Sequence, residues 1–309
     1  MAAAATMTAF NSYSPQQQQH HHHPTDTPQL SKKPKTVLHK HPLYTPPLHS
    51  KLSLEVKEKI MCLEVMGVDS GKAIALNPLI HSTSLNSIHD VITFLQSKFI
   101  LQKDLPKIIN LCPNILTSNI NNDLIPVFNF LSCDLNVPEH NYRKVITKCP
   151  RLLVSSVEHQ LKPVFHYLKR LGFRDLEALA YQDCVLLVLN VEKTLIPKLD
   201  YLISLGFSKP EAINMVLRCP GLFTFSLENN LKPKFKYFKE MKRNTSELKN
   251  FPQYFAFSLD KRIKPRHMEA VECRVEMSLK LLLKTTNQEF AELLRHRSKS
   301  RKFVNSSSM

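Results

Sequence analysis

From about residue 60 onward, the apolar positions of this chain fall into short groups that recur at near-equal steps. Apolar pairs at Ile115-Leu116, Leu152-Leu153, Leu187-Val188, Leu222-Phe223 and Tyr254-Phe255 each follow a two-residue marker. The markers are Asn77-Pro78, Cys112-Pro113, Cys149-Pro150, Cys184-Val185, Cys219-Pro220 and Phe251-Pro252. Their spacings are 35, 37, 35, 35 and 32 residues. A second proline stands twelve or thirteen residues after the markers, at Pro126, Pro163, Pro197, Pro233 and Pro265. The first unit has Val91 there, as expected of an atypical end repeat.

The spacing within a unit predicts two helices and a turn. Proline is tolerated in the first turn of a helix, where its missing N–H has no partner to lose. Pro163 is therefore expected to open a helix with Phe165, Leu168 and Leu171 on one face and Gly172 as its C-cap. Pro197, with Leu199, Leu202, Leu205 and Gly206, gives the matching helix. A second helix follows, as over Pro210 to Arg218 or Glu139 to Lys148. The marker then ends it, because a residue before proline avoids the helical region. The short apolar segment that follows suits a 3₁₀ turn. One such unit cannot bury its apolar face alone, so the expected fold is all-α: a right-handed or curved α-solenoid of about six repeats over residues 55–280. The recurrent cysteines, a repeat or about 10 Å apart, read as small packing residues rather than shared metal ligands.

Composition narrows the function classes. Only 5 glycines occur in 309 residues, too few for a fold that cradles phosphate on a glycine-rich turn. Gly67 to Gly71-Lys72-Ala73 has three residues between its glycines and alanine after the lysine, so it reads as an inter-helix turn. The 7 cysteines form no CxxC pair, and neither a disulfide framework nor a zinc site is expected. The longest apolar run, Cys184 to Leu189, is far short of the roughly 20 residues of a membrane span. No paired carboxylates or nucleophile constellation stand out, so neither an enzyme nor a cofactor is expected.

Residues 1–54 contain a single acid, Asp26, no arginine, a Gln16–Gln19 run and the histidines His20–His23. An acid-poor, hydroxyl-bearing leader is expected to be an organelle transit peptide; the lack of arginine favours the plastid over the mitochondrion. Residues 281–309 read as a basic, Ser-rich, partly disordered tail. Charge is uneven: residues 55–231 carry 18 basic and 17 acidic side chains, whereas 232–309 carry 19 and 8, within a total of +16. Such asymmetry suggests a polyanionic partner.

The repeat as a whole resembles that of the mitochondrial transcription termination factor (mTERF) family. The best single unit is Cys149-Pro150-Arg151-Leu152-Leu153, then Leu161-Lys162-Pro163-Val164-Phe165-His166-Tyr167-Leu168, then Leu171-Gly172-Phe173. Phe251-Pro252-Gln253-Tyr254-Phe255 with Arg262-Ile263-Lys264-Pro265-Arg266 is similar to the terminal motif of plant members. Val185 in place of proline, the poorly matched first unit and the tail after Met277 depart from the pattern. The resemblance implies an array of mTERF motifs, each of two α-helices and a 3₁₀ helix. It implies binding of organellar double-stranded DNA or RNA along a basic groove, in transcription termination or transcript processing, and no shared catalytic residues.

Phosphate contacts come from lysine and arginine. The densest run is Lys232, Lys236, Lys239 and Arg243, at i, i+4, i+7 and i+11 and so expected on one helix face. Arg262, Lys264 and Arg266 repeat the pattern one unit later. Lys162 stands in the same register as Lys232 and Lys264, and Lys148 in that of Arg218. These ten residues are the candidate nucleic-acid contacts, on a chain expected to act as a monomer in the chloroplast, with the mitochondrion as alternative. The alternative function is a helical-repeat scaffold for protein partners in an organellar ribonucleoprotein or ribosome-assembly complex.

Overall fold

Six units, each a tight turn and two helices, follow one another in chain order. The turns are the 3₁₀ segments Pro78–His81, Pro113–Thr117, Pro150–Val154, Cys184–Val188, Pro220–Phe223 and Pro252–Ala256. The first helices cover 85–97, 120–134, 157–171, 191–204, 227–240 and 259–272. The second helices are Leu105–Leu111, Tyr142–Lys148, Leu176–Tyr181, Lys209–Arg218, Ser246–Asn250 and Leu279–Lys284. A leading pair, Leu54–Val65 and Ser70–Leu76, precedes them, and Asn287–Ser306 closes the chain. This computed structural model describes residues 53–306, so the expected leader, 1–54, lies almost wholly outside the described residues. Among the described residues there is no β-strand, and the fold is an all-α helical-repeat solenoid. The turns of units 1 to 4 pack on one another in order, as do those of units 5 and 6; the second helices pack in order from the leading pair to unit 3, and that of unit 4 on that of unit 5. A single apolar core runs from Leu63 to Leu294.

The first helices begin earlier than the prolines suggest. The N-caps are Asn119, Ser156, Asn190, Ser226 and Ser258, each seven residues before the second proline. Each cap side chain accepts the backbone N–H three residues on, as Ser156 does from His159 and Asn190 from Lys193. The proline thus sits inside a continuous helix, where it can donate no hydrogen bond and its ring crowds the carbonyl four residues back. The chain accommodates it by widening the first turn into a π-turn. The bonds Leu161 N–H to Ser156 O (3.0 Å), Leu195 to Asn190 (3.1 Å), Leu231 to Ser226 (3.0 Å) and Ile263 to Ser258 (3.0 Å) all span five residues. The first unit supplies the control. It has the cap, Ser84, seven residues before Val91 but no proline, and Leu85–Ser97 is regular α-helix from its start.

The fourth unit is shifted by one residue from the expected register. Its turn starts at Cys184, so Cys184 takes the place of the proline and Asp183 that of the preceding cysteine. Leu186 and Leu187 are the buried pair, while Val185 is exposed. This also alters the reading of the cysteines. Cys149 and Cys184 are not equivalent positions, and both thiols are buried. The neighbouring Cys184 thiol and burial push the Cys149 thiol up, so it stays protonated.

A row of cations, Lys198 half-buried and Lys234 and Arg266 buried, ties the later elements together. The residue after the second proline is Lys198, Lys234 or Arg266. Lys198 Nζ donates to Phe223 O (2.5 Å) and Lys234 Nζ to Phe255 O (2.6 Å), each in the next unit, while Arg266 Nη1 donates to Leu282 O (2.9 Å) in the second helix of its own unit. A buried cation without a carboxylate loses hydration that one carbonyl restores only in part. Burial accordingly pushes the Lys234 amine down from 10.5 to about 8.

The packing continues beyond the expected limit at residue 280. Leu282, Leu283, Phe290 and Leu294 are buried, and Arg266 lies over the Phe290 ring at 4.7 Å. Residues 281–294 therefore cap the array because they carry apolar side chains at helical spacing, despite the basic composition around them.

Two outcomes follow from this architecture. Ser226→Ala and Ser258→Ala should each lower unfolding stability by about 1 kcal/mol in urea titrations, through the lost cap. For Lys234, the folded-state value lies below the unfolded one, so folding releases a proton between the two. The stability of the wild type relative to Lys234→Met should therefore rise as pH goes from about 8 toward 10.5, read as the difference between thermal midpoints.

Candidate nucleic-acid interface

The outward face of each first helix is fixed by what the same helix buries. In unit 5, Lys234, Phe235 and Phe238 point inward, which leaves Lys232, Lys236 and Lys239 exposed on the other side. Unit 3 buries Val164, Phe165 and Leu168, and Lys162, His166, Lys169 and Arg170 face outward. Lys169 and Arg170 are basic residues that the density of charge in the sequence did not single out. Their signal was positional, since Lys169 occupies the register of Lys239. In both units the amine covers the ring beneath it: Lys169 over Phe165 and Lys239 over Phe235, each at 5.2 Å.

Lys162, Lys232 and Lys264 share a register and a local arrangement. Each pairs with an acid one turn earlier: Lys162 with Glu158 (2.5 Å), Lys232 with Glu228, and Lys264 with Asp260 (2.7 Å). The hydrogen bond that each ammonium donates to its acid raises the Lys162 and Lys264 amines, so both stay charged. The three carboxylates are largely exposed, and such surface pairs are weak and screened by salt. The lysines remain able to turn toward a phosphate.

The basic face is not continuous. Unit 4 presents Ile196, Asp200 and Ile203 at the positions of Lys232, Lys236 and Lys239. Unit 6 keeps Lys264 but exposes Met268 and Val271 at the other two. At these three positions unit 5 thus carries three cations, unit 3 two, unit 6 one and unit 4 none.

The other candidates are engaged in holding the units together. Lys148 Nζ donates to Tyr181 O and Gln182 O, both at 2.7 Å. Arg218 does the same one pair of units later, to Lys249 O (3.1 Å) and Asn250 O (2.6 Å). Both place positive charge on the last carbonyls of the next second helix, where the helix dipole is negative. Arg243 does not share a face with Lys232 to Lys239, because that helix ends at Glu240 and Lys242 adopts a positive φ of 54°. It turns instead to Glu247 (3.0 Å) and to the carbonyl of Met277. Arg262 donates to Leu283 O (2.8 Å) and Thr285 O (2.6 Å). Arg266 is buried and bonds Leu282 O, Thr285 and Asn287. Five of the ten candidates thus anchor backbone carbonyls of a following element.

Among the described residues, no group of three or more His, Cys, Asp or Glu side chains is placed to hold a metal ion. No helix among them is long and apolar enough to cross a membrane.

The comparisons with known proteins agree with the repeat. An 81-residue stretch is 40% identical to the chloroplastic transcription termination factor MTERF5 of Arabidopsis thaliana, covering 26% of this chain and 16% of that one. Chloroplastic MTERF2 of the same plant is 38% identical over 82 residues, 26% of this chain and 13% of that protein. Chloroplastic MTERF4 of Oryza sativa subsp. japonica is 32% identical over 83 residues, 26% and 16% of the two chains. The aligned stretch therefore spans less than a fifth of each of these relatives. The sequence model of the mTERF family covers far more, matching residues 31–181 and 181–291. With six units of the expected turn and helix pair in register along that match, the chain belongs to the mTERF family.

Proposed function

We propose that this protein binds nucleic acid through the outward face of its first helices, chiefly in units 5 and 3, and regulates plastid gene expression by occupying its target. The observation that carries this reading is the set Lys232, Lys236 and Lys239. Three exposed cations stand at successive turns of one helix, on a frame that holds their backbone fixed. Lys162, Lys169 and Arg170 add a second patch two units away. Family membership supports nucleic acid as the polyanion, and the relatives' names support transcription termination in the chloroplast. Lys264 extends the row, while Lys148, Arg218, Arg243, Arg262 and Arg266 contribute by fixing the spacing of units.

The test is a titration of the full chain with duplex DNA and with single-stranded RNA of plastid sequence at several salt concentrations. Counterion release makes log K fall with log salt, by about 0.9 per neutralised phosphate on duplex and about 0.7 on single strands. Changing Lys232, Lys236 and Lys239 together to Gln should flatten that slope by two to three contacts, leaving the thermal midpoint within a degree or two. An unchanged slope in this variant would refute the interface.

A further inference from the structure

The second helices carry an outward face of their own, and it changes character along the chain. Its register is set by equivalent buried positions. Ser70, Ala73 and Asn77 in the leading pair match Leu105, Ile108 and Cys112 in unit 1 and Tyr142, Val145 and Cys149 in unit 2. The two outward positions one helical turn apart are then Lys72 and Leu76, Lys107 and Leu111, and Lys144 and Lys148. In the later units the same positions hold Ala178 and Gln182, Asn214 and Arg218, and Ser246 and Asn250. At the second of these positions, Lys148 and Arg218 reach forward and bond the end of the next helix. Leu76 and Leu111 have no group with which to do so.

Leu76 and Leu111 are 56% and 60% exposed, on helices that pack against each other. Leu79, in the turn that separates their units, is 63% exposed. Scattered exposed leucines need no explanation. Two at the same register on adjoining helices, each with a lysine one turn before it, make a surface with a repeat. Neither Lys72 nor Lys107 forms an ion pair among the described residues. The nearby acids are engaged: Asp69 caps Ser70–Leu76, and Asp104 pairs with Arg143 at 2.5 Å. The edge thus sets two lysines that form no ion pair beside two exposed leucines.

We propose that this edge, on the Ser70–Leu76 and Leu105–Leu111 helices, docks an acidic amphipathic helix of a protein partner. Neighbouring packed helices lie about 8–10 Å apart. A helix laid across them covers that distance in about seven residues, at 1.5 Å each. The partner would therefore present leucine-like side chains at i and i+7 to Leu76 and Leu111, and carboxylates beside them to Lys72 and Lys107. Burying the leucines supplies affinity, and the lysines select against a basic helix. A bare nucleic-acid backbone has no use for the two leucines, and this distinguishes the edge from the cationic patches on the first helices.

The test uses the full chain and a labelled helical peptide of about 18 residues, with leucines seven apart and glutamates beside them. A second peptide carries lysine in place of each glutamate. Fluorescence anisotropy should show the acidic peptide binding and the basic one not. Leu76→Ser with Leu111→Ser should weaken it about tenfold or more, which is 1.4 kcal/mol, with the thermal midpoint unchanged because both side chains are exposed. Lys72→Glu with Lys107→Glu should reverse the preference between the peptides. Lys236→Gln with Lys239→Gln should leave peptide binding unaltered, and duplex DNA should not displace the peptide. Three results would each overturn the proposal: no binding of the acidic peptide, binding indifferent to the leucine changes, or displacement by duplex DNA that depends only on Lys72 and Lys107. The last would make the edge a phosphate-binding row.

Discussion

A proline seven residues inside a capped helix is the constraint on which the rest of the structure depends. Pro126, Pro163, Pro197, Pro233 and Pro265 each lack the N–H that a regular helix would use, and the turn before them widens to five-residue hydrogen bonds. The widened turn always lies between the cap and the proline. In units 4 to 6 the next residue is a long cation whose head meets a carbonyl of the following unit or, in unit 6, of its own second helix. Units 2 and 3 have Val127 and Val164 there, fully buried in the core. Local backbone chemistry thereby sets how each unit meets the next, and stacking of the second helices completes the apolar core.

Charge in this protein works at two levels. Arg218, Lys148, Arg262 and Arg266 hold helix ends and turns of the following element, where the unsatisfied carbonyls concentrate negative partial charge. Lys232, Lys236, Lys239, Lys162 and Lys169 remain at the surface. The basic composition of the last quarter therefore overstates the charge offered to a partner. Part of it substitutes for hydrogen-bond donors that an α-solenoid needs where its units meet, and a ligand-binding face is built from the remainder.

The sequence made the repeat legible because proline and small residues punctuate it, and punctuation depends on a few backbone rules. It placed the turns, the second helices and the Gly172 cap, whose φ of 106° requires glycine. It misplaced the starts of the first helices, because proline most often marks a helix start and here the Ser or Asn cap seven residues earlier is the true signal. It misread unit 4 by one residue, since Cys184 imitates the cysteine marker while its burial is that of the proline. The candidate site was legible only as a register. Equivalence among Lys162, Lys232 and Lys264 held, as did that between Lys148 and Arg218. Which registers face solvent and which reach a carbonyl in the next unit depends on side-chain length against a neighbour some 30 residues away, and no local pattern encodes that.

The central claim is the division of cations between frame and surface, and one paired measurement tests it most directly. Arg218→Gln and Lys236→Gln remove one positive charge each from the same protein. Both would be followed for thermal midpoint and for the salt slope of nucleic-acid binding. The account predicts opposite signatures: Arg218→Gln lowers the midpoint and keeps the slope, whereas Lys236→Gln keeps the midpoint and reduces the slope by about one contact. Equal losses of slope with both midpoints unchanged would contradict it.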